Sequence, residues 1–360
     1  MPPLALKGVF RGDLARSGVY ESSGLLETPE AKWTFKSLHR IASSAVVADG
    51  RVLFGSLDGN LYAINAATGE EQWRVPVRGG MVSTPAAVDS TVIGAGAFGD
   101  LFALNAQTGK ELWIVQTGGQ VYASPAIFDG KVFIGTAGSQ ISTYMFAIDL
   151  PSGETVWRHP TLEVASSAAT DIDQHLVYFG NWAGSLIALD QKTGSVVWQF
   201  ESGSSIRSSP AISEGTVYFG TIMGRFYALN ARTGEGKWSF GAGESIRSSA
   251  AVNGDTVIFG SDNGTLYALD NQTGEERWAF NTSAAIWSSP AISGGLIYFA
   301  EKSGTLHAVA LETGQEQWSY DTFRPRILDP SGFSAIIPSP SLSEGVLYFG
   351  GGDGLFYALE

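Results

Sequence analysis

The stretch FYALNARTGEGKW, residues 226–238, decides the fold because the chain repeats it. Its frame, Ala-x-Asn/Asp-x-x-Thr/Ser-Gly-x-x-x-Trp, begins at Ala63, Ala103, Ala147, Ala188, Ala228 and Ala268, and a seventh copy at Ala308 has Ala310 in the Asn/Asp place. Trp73, Trp113, Trp157, Trp198, Trp238, Trp278 and Trp318 follow at intervals of 40 to 44 residues, and Trp33 stands 40 residues ahead of the first. A reaction centre is built once, whereas a motif copied at every repeat is scaffold.

Each repeat holds four short segments rich in Val, Ile, Phe and Tyr, separated by Gly-containing turns, which is the pattern of strands A to D of a small antiparallel sheet. In the fifth repeat these are SSPAI (208–212), TVYFG (216–220), FYALN (226–230) and KWSF (237–240). Segments B and C are apolar at nearly every position, so both of their faces are covered. A radial stack of sheets supplies that cover. The smallest side chains lie in A and the Trp in D, which places A at a central axis and D at the periphery. Each Trp is expected to bury roughly 150–250 Å², and truncation to Ala to cost about 3–5 kcal/mol. The Thr-Gly pair makes the C-to-D turn, with Gly taking a positive φ.

The chain opens with a D segment, AKWTF (31–35), and ends on a C segment, LFYALE (355–360). The strand count therefore predicts an all-β, eight-bladed propeller of four-stranded antiparallel blades, closed by the N-terminal strand completing the last blade. Residues 31–360 form its single domain, and residues 1–30 are an N-terminal extension.

These repeats resemble those of the pyrroloquinoline quinone (PQQ) type β-propellers, in which the Ala-to-Trp segment is known as the tryptophan docking motif. The resemblance spans about residues 31–360, and the leading FRGDLARSG (10–18) is similar to the N-terminal segment of bacterial PQQ-like repeat proteins. It implies that Trp33, Trp73, Trp113, Trp157, Trp198, Trp238, Trp278 and Trp318 each stack between their own blade and the next. It also implies a periplasmic or extracellular location, the usual place of work for the family.

Function is expected where the copies differ. The D-to-A and B-to-C loops share one face, and the long inserts fall there: DTFRPRILDPSGF (321–333) and TAGSQISTY (136–144). The position before the small A pair reads Ala42, Val82, Tyr122, Ala165, Arg207, Arg247, Trp287 and Ile337. The position two past strand B reads Leu57, Ala97, Ala137, Trp182, Ile222, Asp262, Lys302 and Gly352. A mouth lined by Tyr122, Trp182, Arg207, Arg247, Trp287, Glu301 and Lys302 is predicted, overhung by Arg324, Arg326 and Asp329. Aromatic residues and Arg are what binding hot spots favour.

Composition narrows the partners. The net charge of -13 and pI of about 4.8 repel phosphate backbones, which argues against nucleic acid. The absence of cysteine removes disulfides, thiolate metal sites and thiol nucleophiles. No segment reaches the roughly 18 apolar residues of a membrane helix, and MPPLALKGVFRGD lacks the charged and apolar regions of a signal peptide. SLDGN (56–60), SDNGT (261–265) and GGDGL (351–355) lack the full ligand series of a calcium loop and read as hairpin turns. His39, His159, His175 and His307 occupy different places in their repeats. No catalytic residue or metal ligand is assigned and no cofactor is expected.

The leading expectation is a non-catalytic scaffold, similar in architecture to the BamB-type assembly lipoproteins, that binds another protein or a small polar ligand at the loop face. One alternative implied by the resemblance is a quinoprotein dehydrogenase holding PQQ and calcium in the mouth. There Trp182 or Trp287 would stack on the quinone, and Arg207 or Arg247 would neutralise its carboxylates. The cysteine pair, characteristic Asp and calcium ligands of such enzymes have no assignable counterparts here. A carbohydrate-binding or carbohydrate-cleaving propeller is a third reading, resting on aromatic and charged residues at the mouth.

Overall fold

The chain forms eight antiparallel sheets and no helix in a computed structural model describing residues 6–138, 143–171, 173–322 and 338–360. The arrangement is an eight-bladed β-propeller. Blade 5 shows the common plan: strand A is Ala211–Ser213, B is Thr216–Gly220, C is Arg225–Asn230 and D is Gly236–Gly241, paired in that order. The last sheet joins Ser341–Ser343, Val346–Gly350 and Leu355–Leu359 to the N-terminal Ala31–Lys36, with Ala31 opposite Leu359 and Trp33 opposite Ala358. Ring closure by the first D strand is thus as expected.

Eight apolar clusters fill the spaces between adjacent blades, which is why B and C carry apolar residues on both faces. Between blades 4 and 5, Tyr178, Leu186 and Trp198 meet Val217, Phe219 and Leu229. Between blades 5 and 6, the Phe226 and Phe259 rings stack at 4.0 Å.

The repeated stretch divides its work residue by residue. Asn230 Oδ1 accepts the N–H groups of Arg232 and Thr233, shaping the C-to-D turn. Gly234 sits at φ +74°, and a Cβ there would lie 2.7 Å from the Trp198 indole of blade 4. The equivalent Cβ at Gly69, Gly109, Gly153, Gly194, Gly274 and Gly314 would lie 2.5–3.0 Å from the preceding blade's indole. The indole N–H of Trp238 reaches forward to Asn271 O at 3.0 Å. Trp33, Trp73, Trp113, Trp157, Trp198 and Trp278 make the same forward bond at 2.9–3.1 Å. Trp318 faces blade 8, which has no C-to-D turn of this kind, and its indole donates instead to Leu25 O at 2.7 Å.

Strand A begins later than the sequence implies. In blade 5 the Ser208–Ser209 pair lies ahead of the strand, and its two hydroxyls take over the bonding. The first hydroxyl ties the blade together, donating to Gly220 O and accepting from Gly220 N–H, both at 2.9 Å. The second joins neighbouring blades. Ser44, Thr84, Ser124, Ser167, Ser209, Ser249, Ser289 and Ser339 form a closed belt in which each backbone N–H donates to the next blade's hydroxyl at 2.8–3.1 Å.

The N-terminal segment is woven into the side of the ring away from the D-to-A loops. Leu6–Gly8 adds a fifth strand to blade 2 beside Ala86–Val88. Leu14, Ala15, Ser17 and Gly18 carbonyls then accept N–H groups of Thr170, Ile212, Val252 and Ile292, the A strands of blades 4 to 7 in turn, at 2.8–3.0 Å. Arg11 and Arg16 are buried. The Arg16 guanidinium donates to Ala168 O at 2.5 Å and Phe10 O at 2.9 Å, and Arg11 donates to Arg16 O at 3.2 Å and to Ala250 O. Burial pulls their pKa values down, to about 9 for Arg16 and about 10 for Arg11.

Candidate functional site

Small side chains at the inner ends of the blades leave a cavity of about 380 Å³ on the ring axis. The hydroxyl belt encircles it, Phe10 of the N-terminal segment closes part of it, and the residues preceding each A pair form its mouth. Of the predicted residues, Tyr122, Trp182, Arg207, Arg247 and Trp287 line this one space.

The mouth is organised by cation–aromatic pairs. Arg207, on the loop leading into blade 5, holds its guanidinium 4.9 Å from the Trp182 ring centroid of blade 4. Arg247 lies 5.3 Å from the Trp287 ring, and Lys302 Nζ lies 4.4 Å from the same ring. Asp262 links blades 6 and 7, accepting Arg247 Nε at 3.1 Å and the Trp287 indole N–H at 2.7 Å. Arg207 has no carboxylate partner among the described residues. Burial lowers its pKa, and the nearby Arg247 charge pushes in the same direction against a smaller opposing pull from Asp262. Tyr122 donates to Gln120 Oε1 at 2.9 Å.

Two predicted members stand apart from the cavity wall. Glu301 is buried in its own blade, where Ser283 Oγ donates at 3.0 Å, Ala284 N–H at 3.1 Å, and Ser303 Oγ also donates. Burial alone would raise its pKa, but these bonds and the nearby His307 outweigh it and hold the carboxyl below its usual range. Glu301 therefore shapes a turn. Lys302 reaches the site through the outer side of Trp287 and is exposed. Arg324, Arg326 and Asp329 lie outside the described residues. Asp262 completes the mouth, although the predicted lining did not include it. Its signal was its register, shared with Trp182 and Lys302 two places past strand B.

The acidic turns are internally occupied. Asp58 accepts Asn60 N–H at 3.0 Å and Tyr62 O–H at 2.7 Å, and Asp353 accepts Leu355 N–H at 2.8 Å and Tyr357 O–H at 3.0 Å. Among the described residues no group of three or more His, Asp or Glu is placed to hold a metal ion. His307 is spent on packing, stacked on Phe299 at 5.1 Å with Nδ1 2.9 Å from Glu316.

The same face carries Leu38, Phe98, Leu162, Trp182 and Met223 as exposed large apolar side chains on its D-to-A and B-to-C loops, spread from the start of blade 1 to blade 5. Phe98 and Met223 are 65% and 77% exposed.

Repeat, ring and axial mouth together define a PQQ-like propeller. The chain belongs to the family described as outer membrane protein assembly factor BamB, whose model matches residues 26–143, 85–201, 142–286 and 184–360 in overlapping copies. A curated relative, the quinoprotein alcohol dehydrogenase PedH of Pseudomonas putida, is 38% identical over 68 residues, 19% of this chain and 11% of that protein. The chain thus spans only a small part of that relative's length. Among solved structures, BamB from Moraxella catarrhalis superposes with a TM-score of 0.76 at 20% identity, covering 92% of this chain and 98% of that one. The quinohemoprotein alcohol dehydrogenase from Comamonas testosteroni superposes with a TM-score of 0.83 at 16% identity, covering 99% and 80%. At these identities the structural likeness concerns the fold.

Proposed function

We propose that the protein is a non-catalytic binding propeller that holds a protein partner on its D-to-A and B-to-C loop face, outside the cytoplasm. The observation that carries this is the set of exposed apolar residues on that face beside the cation–aromatic mouth. Large apolar side chains exposed on one face favour an interaction surface there, and Trp and Arg are the side chains that anchor such surfaces. The family match supports a protein partner and an extracytoplasmic place.

The donor set does not fit PQQ with calcium. No carboxylate lines the cavity among the described residues, and Asp262 at its rim is already held by Arg247 and Trp287. Calcium requires six to eight oxygen ligands, with carboxylates foremost. Titration with PQQ and calcium is expected to give no absorbance change and no heat, and a saturable response would restore the dehydrogenase reading. A glycan array is expected to show no binding, and a specific glycan signal would restore the carbohydrate reading.

The test of the binding reading is site-specific photo-crosslinking in the native host. A crosslinker at Phe98 or Met223 is expected to capture one defined protein species, and a crosslinker at Arg232, on the opposite face, to capture none. Equal capture from both faces, or none from Phe98 and Met223, refutes the assignment.

A further inference from the structure

We infer that the ring carries a second binding site, a groove at the end of the axis away from the D-to-A loops, and that this groove takes a free, short, cationic peptide laid across the A strands of blades 8 and 1. The groove is separate from the partner face, and neither site depends on the other.

The N-terminal segment shows how a peptide binds at this end. It runs across the A strands rather than along them. Its Leu14, Ala15, Ser17 and Gly18 carbonyls take one N–H from each of blades 4 to 7, and Tyr20 N–H returns a bond to Ile292 O at 2.8 Å. Blade 2 is paired by Leu6–Gly8, and blade 3 is met by the Arg16 guanidinium, 3.4 Å from Ser124 O. Blades 8 and 1 are passed over. Leu342 and Val47 hold the register of Ile212 and Ile292, yet neither bonds to the N-terminal segment among the described residues. Five residues, Leu14 to Gly18, serve four blades, so a peptide of about two or three residues bridges the open pair.

The gap is a built groove. The A strands of blades 8 and 1 and two arms of the N-terminal segment, around Val9 and around Tyr20, enclose about 360 Å³, enough for a small ligand. Ser341, in its wall, supplies the second argument. Blades 2 to 7 have Ala in its place, as at Ala211 and Ala291, and its buried Oγ has no hydrogen-bond partner among the described residues. A buried hydroxyl left unpaired is a cost that an arriving peptide carbonyl removes. Charge selects the side chain. Asp13 is spent on the N-terminal segment itself, accepting Ser17 N–H at 2.9 Å, but Glu21 stands exposed at the rim with no ion pair among the described residues. With the chain at -13 overall, a Lys or Arg side chain is drawn to this rim and an acidic one is repelled.

The experiment is calorimetric titration of the purified full chain with three probes: Ala-Lys-Ala and Ala-Glu-Ala, both acetylated and amidated, and butylamine, which has the charge without the carbonyls. Ala-Lys-Ala is expected to saturate a single site per chain, and the other two to bind at least about tenfold more weakly. Ser341→Ala restores the residue of the other blades, so the fold is expected to be kept while the affinity falls about threefold or more, the loss of one hydrogen bond. Glu21→Gln should narrow the preference for Ala-Lys-Ala over Ala-Glu-Ala, and Arg232→Gln in blade 5, across the ring from blade 1, should change nothing. Amide hydrogen exchange supplies a second readout. With Ala-Lys-Ala at saturation, exchange in the fragments carrying Val47 and Leu342 should slow, while the fragment carrying Ile212, already bonded to Ala15, should not change. No saturable binding, equal binding of Ala-Glu-Ala or butylamine, an affinity unchanged in both Ser341→Ala and Glu21→Gln, or unaltered exchange at Val47 and Leu342 overturns the assignment. No partner protein enters the titration, so a failed crosslink and a failed titration are separate results.

Discussion

Replacing Gly234 with Ala tests the claim that the blades are keyed together by an indole resting on a glycine. The change adds one methyl group and acts in two ways. At φ +74° an L side chain costs about 1–2 kcal/mol. The new Cβ would also lie 2.7 Å from the Trp198 ring, and overpacking of this kind costs about 1–3 kcal/mol. Gly215→Ala isolates the first effect within the same blade, since Gly215 has φ +68° and its added methyl would meet nothing within 4 Å. Urea unfolding followed by far-UV circular dichroism should therefore show Gly215→Ala destabilised by about 1–2 kcal/mol and Gly234→Ala by about 2–5 kcal/mol. In a Trp198→Ala background the clash is gone, and the two glycine changes should cost the same. Equal losses in the parent protein would refute the keyed-indole argument.

Two further outcomes follow from the hydrogen-bond pattern. Ser208→Ala removes both bonds that tie Ser208 to Gly220, and with about 1–3 kcal/mol for each buried group left unpaired the urea midpoint should fall clearly. Arg277 bridges Asp255 and Asp270 at 2.7 and 2.6 Å. The Asp270 pKa is held at about 2, chiefly by Arg277 and then by the N–H groups of Thr273 and Gln272. That value lies below the roughly 3.9 of an unfolded Asp, so the contribution is present above about pH 4 and is lost as pH falls towards 2. The stability gap between parent and Arg277→Gln should accordingly narrow between about pH 5 and pH 2.5, and a gap that widens on acidification refutes the pairing.

The ring was legible in the sequence because its determinants are local and repeated. Ala228, Asn230, Gly234 and Trp238 lie within eleven residues of one another, and their partners recur at the same offset in the next copy. Closure was legible from strand phase alone. The N-terminal segment was not, since Arg16 bonds to Ala168 and Leu25 to Trp318, partners 152 and 293 residues away with no periodicity to announce them. At the mouth, register identified which positions face the axis but not where each side chain turns. Glu301 and Asp262 are both acidic residues just past strand B, yet one folds back on Ser283 and Ala284 while the other reaches across to Trp287. The belt was visible only as small residues, because hydroxyl bonding between blades depends on a circle that the linear text does not display.

The joint between Ala31–Lys36 and Leu355–Leu359 also bears on how the molecule comes into being. Adjacent repeats meet across about 40 residues, whereas this seam brings Lys32 to Glu360, 328 residues away, which is roughly three doublings of loop length and about 2 kcal/mol more closure entropy. Ala31–Lys36 is synthesised long before Leu355–Leu359, and its pairing edge is bare until that strand arrives. Two chains that are complete but not yet closed can each satisfy the other's seam, so crowded synthesis should yield exchanged dimers.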